Sequence, residues 1–538
     1  MKRRNFIQLS AISGAIPFLG IKACAPADEP NNQSTTEENP FELEEWTVEQ
    51  FQDAMESGKY TSRQICELYI ARIKEKDQSE NGLNSVIELN PDALAIADDL
   101  DKERTEGKVR SPLHGIPIMI KDNIDTGDKM MTTAGSMALA GSSAPDDAFI
   151  VKKLREAGAV LLGKTNLSEW ANFRSFRSSS GWSGRGRQTR NPYALDRNPC
   201  GSSAGSGSAA SGNMCALTIG TETNGSIVCP SSANGLVGIK PTVGLWSRDG
   251  IIPISETQDT AGPMVRSVAD GAALLGALVG VDESDPRTKE SEGNYHTDYT
   301  QFLDVNGLQG KRIGVLNGTL GYHEKVDEIM ERSFAALEAQ GATLVKDIKL
   351  YENDAYGNSG LELLLYEFKD GVNKYLASRP DLKVKTLADI IQFNKDNADV
   401  EMPYFPQGIL ERAEMKGPLT DEEYKEHLKV VTEVSRNGID KALKENNLDA
   451  IIGVTGGPAW PIDVINGDHF GTGSSTPAAR SGYPNITVPA GYVHGLPVGM
   501  SIFAGKYEEP KLISMAYAFE QATKVRKAPK LLPTLDLA

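Results

Sequence analysis

The stretch ALTIGTETNGSIVCPSS, residues 216–232, begins as a short apolar strand and then becomes a run of small polar residues. From Thr221 to Ser226 the chain carries no large apolar side chain. A surface turn needs only about two to four residues, so a turn alone does not account for this run. A second stretch of the same kind, CGSSAGSGSAASG at residues 200–212, lies just upstream. These two stretches are therefore the first candidates for a functional site.

Short apolar strands alternate with helical patterns along the rest of the chain. GIPIMIKDN (115–123) is typical of a strand that ends at a lysine, and AFIVKKLREAGAVLLGKTN (148–166) of a helix, a turn and a strand. This alternation predicts an α/β fold. We expect one large domain over residues 45–538, with a mixed, mostly parallel central sheet covered by helices. Residues 357–447 have a mainly helical pattern and are predicted to form an insertion on one side of that sheet.

Capping boxes predict where three of the helices begin. Thr47 and Thr61 each stand three residues before a glutamine, and Thr420 stands three residues before Glu423. In such a box the two side chains satisfy backbone N–H groups that have no partner inside the helix. We therefore expect helices to start at these three threonines.

The charge balance excludes one class of partner. The chain has 538 residues, of which 56 are Lys or Arg and 73 are Asp or Glu, so its net charge is -17. A protein without an overall positive field does not attract nucleic-acid phosphates. No nucleic-acid partner is therefore expected.

The N-terminus has the features of an export signal. Residues 1–24 combine a basic start with a short apolar run, and Arg3-Arg4 resembles a twin-arginine signal. IKAC, ending at Cys24, resembles a lipoprotein cleavage box; the alternative is an ordinary cleaved signal with a chance cysteine. Residues 25–44 are mostly polar and acidic and are predicted to be a flexible tether. We expect an exported protein, periplasmic or anchored to the membrane only through a lipid on Cys24.

The other cysteines do not suggest a metal site. No two of them have C-x-x-C spacing, and the chain has only six histidines, so neither a zinc site nor any other metal is predicted. We expect four free thiols: Cys66 as a small buried residue of a helix, and Cys200, Cys215 and Cys229 packed close to the backbone. Oxidation of the latter three in an exported protein is the alternative.

One serine pattern suggests an α/β-hydrolase. GSSAG (201–205) matches G-x-S-x-G, with Ser203 as the nucleophile. That motif requires a strand immediately before it, whereas RNPYALDRNPC precedes it here. A histidine base would also be needed, and three candidates lie in a helix or in Gly-rich turns: His427, His469 and His494. An esterase of this type remains an alternative.

Lysine is the other base that serine chemistry uses. Lys121 ends the apolar strand IPIMI, so we expect it to be buried. Burial disfavours the ammonium form and lowers the pKa of a lysine, and the neutral amine accepts a proton. The alternative is a structural lysine paired with Asp122 or Asp125.

Four motifs together resemble the amidase signature family of Ser-Ser-Lys hydrolases. They occur in the family's order, and the resemblance runs from about residue 45 to the C-terminus. The part of the chain around residues 172–232 is most similar to the peptide amidases, which hydrolyse C-terminal carboxamides. The motifs are GIPIMIKDNID, CGSSAGSGSAA, GTETNGSIVCPSSANGLVGIKPT and SGYPNITVPAGYVHGLPVGM.

The resemblance implies a catalytic triad. Ser226 would be the nucleophile, Ser202 a bridging serine after a cis peptide bond, and Lys121 the base. The acyl-enzyme formed on Ser226 would be cleaved by water, without metal or cofactor. Small residues would let several backbone N–H groups converge on the developing oxyanion. The implied donors are the N–H groups of Thr223, Asn224, Gly225 and Ser226.

Two departures from the family pattern lie at these positions. The family often has Gly-Gly-Ser where this chain has Asn224-Gly225-Ser226, and Gly-Gly-Ser-Ser where it has a segment that starts at Cys200. Asn still supplies a backbone N–H and tolerates a positive φ better than most residues. The oxyanion donors are therefore expected to be intact, beside a narrower pocket.

The resemblance implies a small-molecule or peptide amide as substrate and no obligate protein partner. Two other functions remain open. A glutaminase-type subunit of an aminoacyl-tRNA amidotransferase shares the fold, but it is cytoplasmic and works with partner subunits. A non-catalytic surface lipoprotein would keep the fold and lose the triad.

Several charged residues outside the triad also call for a prediction. Five arginines follow one another without an intervening acid and are predicted either to surround the substrate entrance or to form a solvated loop. Asp259 and Glu169 are predicted to anchor a turn and a loop. The arginines are Arg174, Arg177, Arg185, Arg187 and Arg190.

Overall fold

The structure is a computed structural model that describes residues 41–352, 354–535 and 537. From Leu43 onward the chain forms one compact unit. The predicted export signal, Cys24 included, and most of the predicted tether lie outside the described residues.

Strands occur along most of the described chain. Eleven of them form one main sheet, and two short strands form a separate ribbon. The strands are β1 (Val86–Leu89), β2 (Pro117–Lys121), β3 (Val160–Thr165), β4 (Trp182–Ser183), β5 (Arg187–Gln188), β6 (Leu217–Glu222), β7 (Val237–Lys240), β8 (Thr260–Val265), β9 (Arg312–Leu316), β10 (Thr343–Ile348), β11 (Ala450–Val454), β12 (Asn485–Val493) and β13 (Leu496–Phe503).

Helices precede, separate and follow these strands. They are α1 (Val48–Glu56), α2 (Ser62–Arg72), α3 (Ala93–Thr105), α4 (Phe149–Glu156), α5 (Ala204–Ser211), α6 (Val228–Ala233), α7 (Val268–Ala277), α8 (Glu324–Ala339), α9 (Ser359–Ala377), α10 (Leu387–Asp396), α11 (Ala398–Glu401), α12 (Gly408–Glu414), α13 (Glu422–Glu445), α14 (Thr476–Ser481) and α15 (Glu509–Thr523). The capping boxes at Thr47 and Thr61 are both formed, as predicted.

The prediction of a mixed sheet covered by helices is confirmed, but the predicted parallel majority is wrong. The strand order is β1-β3-β2-β6-β8-β7-β12-β13-β11-β9-β10. Four neighbouring pairs are parallel, namely β2 with β3, β2 with β6, β9 with β10 and β9 with β11. The other six pairs are antiparallel.

Strand direction depends on connections that the pattern of alternation does not reveal. β12 and β13 form a hairpin because only His494 and Gly495 separate them, and both residues have a positive φ. Two-residue turns of that kind join antiparallel neighbours. In contrast, β2 and β6 are parallel neighbours although α4, β3 and α5 lie between them in the sequence.

The centre of the sheet is covered on both faces. Every residue of β2, β3, β6, β7, β8, β11 and β13 is buried, as expected for strands between two layers. Within the described residues, no helix combines the length and the apolar composition that crossing a membrane requires.

The region predicted to be mainly helical contains α9 to α13. Its apolar side chains form a cluster in which Phe368 and Leu387 pack with Trp170 and Phe173 of the main domain. The predicted start of α13 at Thr420 is wrong, because Asp421 is the N-cap and Glu423 accepts a hydrogen bond from the hydroxyl of Tyr366 (2.9 Å). This helical layer therefore covers the loop that contains Trp170 and Phe173.

Candidate active site

Lys121 lies at the end of β2, next to the point where the polar run leaves β6. β2 and β6 are parallel, with Ile120 opposite Ile219, so their carboxyl ends meet at the same edge of the sheet. The Lys121 side chain is fully buried there. Its Nζ lies 2.8 Å from Ser202 Oγ, 3.0 Å from Ser203 Oγ and 2.8 Å from Thr221 Oγ1. The two polar stretches that stand out in the sequence thus meet at one amine.

The surroundings of Lys121 favour the neutral amine. Burial lowers the pKa of Lys121 to about 7, although the carboxylates of Asp259 and Glu222 act in the opposite direction. The predicted alternative of an ion pair with a neighbouring aspartate is wrong. Asp122 is paired with Arg185 (3.2 Å), and Asp125 with Arg379 (3.2 Å).

Ser202 and Ser203 immediately precede α5. The peptide bond between Gly201 and Ser202 is cis, as the resemblance implies, and both serines are buried. Ser203 Oγ donates to the carbonyl of Thr221 (3.0 Å) and accepts from the N–H of the same residue (3.1 Å). Ser203 is thus held inside the protein by the end of the β6 strand.

The α/β-hydrolase alternative does not fit this geometry. No strand precedes Ser203 among the described residues from 189 to 202. The three histidines considered as bases have other surroundings. His427 contacts Ser359, His469 contacts Asp463, and His494 lies in the β12–β13 turn.

The polar run from Thr221 to Ser226 is a folded turn, held in shape by two carboxylates. Glu222 Oε2 accepts from the N–H groups of Ile227 (2.8 Å) and Val228 (3.1 Å), at the start of α6. Asp259 accepts from the hydroxyl of Thr223 (2.6 Å), which confirms its predicted role as an anchor. Gly225 has a φ of 87°, where a side chain would be strained.

The turn leaves its backbone donors free. Within the described residues, no backbone N–H from Thr223 to Ser226 donates a hydrogen bond, and the Ser226 hydroxyl also has no partner. The side chain of Asn224 is bound by Ser475 (2.8 Å) and Thr476 (3.3 Å). The Asn224 side chain is therefore held by its neighbours, whereas the free backbone N–H groups and the Ser226 hydroxyl belong to residues that line a cavity.

That cavity has a volume of about 410 Å³ and contains both polar and apolar walls. Gly201 and the residues of the turn from Thr223 to Ser226 line it. Most of the other lining residues follow β3 or β11, Leu364 belongs to the helical layer, and Cys200, Cys229 and Ile254 come from other segments. The full set is Ala171, Asn172, Phe173, Ser180, Cys200, Cys229, Ile254, Leu364, Thr455, Trp460, Asp468, Phe470, Ser475 and Thr476. A cavity of this size accommodates an extended acyl group beside the reacting amide.

Two of the four cysteines predicted to be free thiols are joined instead. Cys200 and Cys229 form a disulfide, whereas Cys66 and Cys215 are free and buried as predicted. The separation of 29 residues between Cys200 and Cys229 did not indicate this bond, because the two cysteines come together only when the turn at Ser226 folds back toward Gly201. The disulfide lines the cavity.

The five arginines between residues 174 and 190 do not form one group. Arg174 is fully buried beside Glu169 (3.2 Å), and Arg185 is bound by Asp122 and Glu88. These two contradict the prediction of a solvated loop or an entrance rim. Arg187 and Arg177 are exposed, and Arg190 is half-buried.

Glu169 has the anchoring role that the sequence predicts. It accepts from the N–H of Gly184 (2.6 Å) and from Arg174, whose guanidinium also donates to the carbonyl of Glu401 in α11. Burial raises the pKa of Glu169 well above its usual value, and the neighbouring Glu401 adds to this effect. Burial raises the pKa of Glu401 as well.

One group of possible metal ligands is present in the described part of the chain, and cations of the protein already neutralise it. Glu362, Glu423 and His427 lie close together. However, Lys416 contacts both glutamates, and Arg412 contacts Glu362. These residues lie in the helical layer, and none of them lines the cavity at Ser226.

Comparison with known proteins shows the family of the chain. The amidase family model matches residues 64–513. A probable amidase of Arabidopsis thaliana is 42% identical over 501 residues, covering 91% of this chain and 93% of the plant protein. A component of the glutamyl-tRNA(Gln) amidotransferase of Thermoanaerobacter pseudethanolicus is 31% identical over 515 residues, covering 91% of this chain and 99% of that component.

A solved structure extends the likeness to the fold. The peptide amidase of Stenotrophomonas maltophilia superimposes with a TM-score of 0.88 at 47% identity, covering 91% of this chain and 100% of that protein. The sheet and the buried lysine–serine cluster thus define a hydrolase of the amidase type. The chain belongs to the amidase family and is an amide-hydrolysing enzyme.

Two residues of the site had no predicted role, although both lie in segments to which the sequence points. Thr221 contacts Lys121 through its side chain, yet in the sequence it is only one of several small polar residues. Asn172 lines the cavity from the start of the segment that resembles the peptide amidases. Both positions depend on contacts between segments that are distant along the chain.

Proposed function

We propose that the chain hydrolyses carboxamides through an acyl-enzyme, with Ser226 as nucleophile, Ser202 as bridging serine and Lys121 as base. The observation that carries this proposal is the 2.8 Å contact between Lys121 Nζ and Ser202 Oγ, both of which are buried. Among the described residues, the amine has no carboxylate partner. A lysine with a pKa of about 7 is in part neutral at physiological pH. It is therefore a competent base.

The neighbours of Lys121 orient its lone pair. The hydroxyl of Ser203 is already donated to the carbonyl of Thr221, so Ser203 Oγ accepts from Lys121. The Thr221 carbonyl oxygen, which is an acceptor only, lies 3.3 Å from Lys121 Nζ. These two oxygens therefore accept the two N–H groups of a neutral amine. The lone pair is then left for the proton of Ser202.

The proposed reaction has two stages, which are the acylation of Ser226 and the hydrolysis of the resulting ester. Ser226 Oγ attacks the carbonyl carbon of the amide, while its proton passes through the hydroxyl of Ser202 to Lys121. The tetrahedral intermediate collapses, the C–N bond breaks, and the leaving nitrogen takes the proton and departs as ammonia or an amine. Water then attacks the ester on Ser226 by the same proton route and releases the carboxylic acid.

The turn before α6 supports stabilisation of the oxyanion. The backbone N–H groups of Thr223, Asn224, Gly225 and Ser226 are free for this purpose. Loss of one such donor costs about 3 kcal/mol in other hydrolases. We infer that the two carboxylates, Glu222 and Asp259, keep these donors in position.

The preferred substrates in this proposal are C-terminal carboxamides of peptides. The similarity to a peptide amidase over nearly the whole chain supports this choice. The cavity at Ser226 supports it too, because the apolar side chains of Phe173, Leu364, Trp460 and Phe470 suit an acyl group with a hydrophobic side chain.

A substrate screen tests this function. Peptide amides, aryl amides, short free amides and glutamine are compared by the release of ammonia or amine, with Ser226→Ala protein as the control. Release from peptide amides by the wild type, absent in the variant, supports the proposal. Hydrolysis of glutamine alone would instead favour the glutaminase role within an amidotransferase, and no turnover at all would favour a non-catalytic protein.

We also propose that the protein is exported and anchored through Cys24. The twin-arginine-like start and the disulfide between Cys200 and Cys229 support export, because disulfides persist in oxidising compartments. Fractionation of cells that express the wild type or Cys24→Ala tests this. The wild type should sediment with membranes and the variant should be released, whereas a cytosolic protein with intact Met1 contradicts the proposal.

A further inference from the structure

Nearly all of the polar side chains that line the cavity at Ser226 are hydrogen-bonded to other residues of the protein. Asp468 accepts from Ser180 (2.5 Å) and Trp460 (3.2 Å), and Thr455 shares a hydrogen bond with Thr487 (2.6 Å). The same holds for Thr223 with Asp259 and for Asn224 with Ser475 and Thr476.

Two lining side chains have no such partner among the described residues. One is the hydroxyl of Ser226, the proposed nucleophile. The other is the carboxamide of Asn172, whose Oδ1 is shielded from solvent without accepting a hydrogen bond. A shielded polar atom without a partner costs about 1–3 kcal/mol. Turning the amide by half a rotation exchanges its oxygen and its nitrogen, so an Asn172 amide that no protein group engages indicates a contact that a ligand in the cavity completes.

The backbone holds Asn172 in an unusual conformation. Trp170, Ala171 and Asn172 all have a left-handed φ, of 52°, 52° and 69°. Each such residue other than glycine costs of order 1 kcal/mol or more, and residues of this kind cluster at functional sites.

The surrounding structure keeps this segment in place. The Trp170 side chain is buried, with its ring 6.3 Å from that of Phe368, and the N–H of Asn172 donates to the carbonyl of Ser168 (3.2 Å). The ring of Phe173, the next residue, packs 5.0 Å from the same Phe368. Asn172 therefore presents its amide to the cavity from a fixed position.

We propose that Asn172 is a substrate-binding residue that hydrogen-bonds a peptide bond in the acyl part of the substrate. This inference rests on the proposed function and names the part of the substrate that is read. A carboxamide both donates and accepts, whichever way it is turned, and so does a peptide unit. The substrate class is therefore an N-acylated amino-acid amide or a longer peptide amide, rather than a simple aliphatic or aryl amide.

The other residues that line the cavity indicate that Asn172 binds the acyl part of the substrate and not its leaving group. Asn172 is flanked by Ala171 and Phe173, and Leu364 and Ile254 also line the cavity. Apolar surface with a single free amide matches a peptide chain, which carries apolar side chains on a polar backbone. A cavity of about 410 Å³ also exceeds what a carboxamide head alone occupies.

Two substrates that differ only in the peptide bond test this inference. N-acetylphenylalaninamide contains it, and 3-phenylpropanamide lacks the acetamido group that supplies it. Asn172→Gly removes the side chain without straining the left-handed backbone. The matched control is Asn447→Gly, since Asn447 has a φ of 50° and is exposed outside the site.

The inference predicts a selective loss. Asn172→Gly should lower kcat/KM for N-acetylphenylalaninamide by about tenfold to hundredfold, and that for 3-phenylpropanamide by less than about threefold. Asn447→Gly should leave both values unchanged. An equal loss for both substrates would assign Asn172 to the leaving group and overturn the inference, as would no loss for either.

A binding measurement separates this inference from the proposed function. Calorimetry of N-acetylphenylalaninamide with Ser226→Ala protein, with and without Asn172→Gly, needs no turnover. A tenfold or greater rise in Kd with Asn172→Gly supports the inference even if the wild type releases no ammonia. Unchanged or undetectable binding overturns it. Failure of the proposed function shows itself separately, as turnover that survives Ser226→Ala or is absent from the wild type.

Discussion

Cys200 and Cys229 are joined by a disulfide, and each stands close to one of the two serines of the proposed triad. Cys200 precedes Gly201 and Ser202, whereas Cys229 lies in the first turn of α6, three residues after Ser226. The covalent bond thus connects the segment that carries the bridging serine with the turn that carries the nucleophile. It limits how far the two serines are able to separate.

Removal of this disulfide should destabilise the protein. The bond closes a loop of 29 residues, for which loop entropy corresponds to about 3–4 kcal/mol of unfolding free energy. Cys200→Ser/Cys229→Ser should therefore unfold at a lower urea concentration than the wild type and should lose activity. Reductant should affect the wild type but not the double variant. Identical unfolding curves for the two proteins would contradict this prediction.

Substitutions in the triad should separate Ser226 from Ser203. Ser226→Ala and Lys121→Met should each reduce kcat by at least about 10⁴-fold, and the double variant should be no worse, because the residues act as a unit. Ser202→Ala should leave more activity, since water is able to bridge the gap. Steady-state kinetics with a peptide amide measure these effects.

Ser203→Ala is the matched control for the triad. Its hydroxyl is engaged with Thr221 and Lys121, so its loss should cost about tenfold or less. A probe that acylates Ser203 and spares Ser226 would show that the nucleophile has been assigned to the wrong serine.

The pH profile should report the titration of Lys121. Its pKa is lowered to about 7 by burial, and protonation removes the base, so kcat/KM should fall as the pH drops through about 7. The carboxylate of Asp259 raises the pKa of Lys121, so Asp259→Asn should lower it and move the acid limb to lower pH.

Asp270→Asn is the control for this shift. Asp270 is also buried, and its pKa is likewise raised by burial, but it is not among the charges that act on Lys121. Its substitution should leave the acid limb in place. An acid limb that moves to higher pH in Asp259→Asn would be incompatible with the electrostatic explanation.

Arg174 should matter for stability, whereas its neighbour Arg177 should not. Arg174 is fully buried and compensates the buried carboxyl groups of Glu169 and Glu401, so Arg174→Met should destabilise the protein by about 3–5 kcal/mol. Arg177 is exposed, and Arg177→Met should change the unfolding free energy by less than about 0.5 kcal/mol. Equal urea midpoints for the two variants would contradict the assignment.

Part of the site follows from the order of residues along the chain. A strand that ends in a lysine made Lys121 a candidate base, and the resemblance of four motifs to the amidase signature family implied Ser202 and Ser226. The structure brings Lys121 and Ser202 together because β2 and β6 are parallel neighbours whose carboxyl ends share one edge, and Thr221 at the end of β6 holds Ser203, the residue next to Ser202. The pattern of apolar and polar residues also predicted the mixed sheet and its helical cover.

Other features depend on segments that are distant along the chain. The antiparallel pairing of β6 with β8, the bond between Cys200 and Cys229 and the burial of Arg174 against α11 all join such segments. The left-handed backbone at Asn172 is kept by packing on the helical layer, about 200 residues further along the chain. Local sequence specifies periodicity, caps and tight turns, whereas these contacts depend on which surfaces meet once the chain has folded.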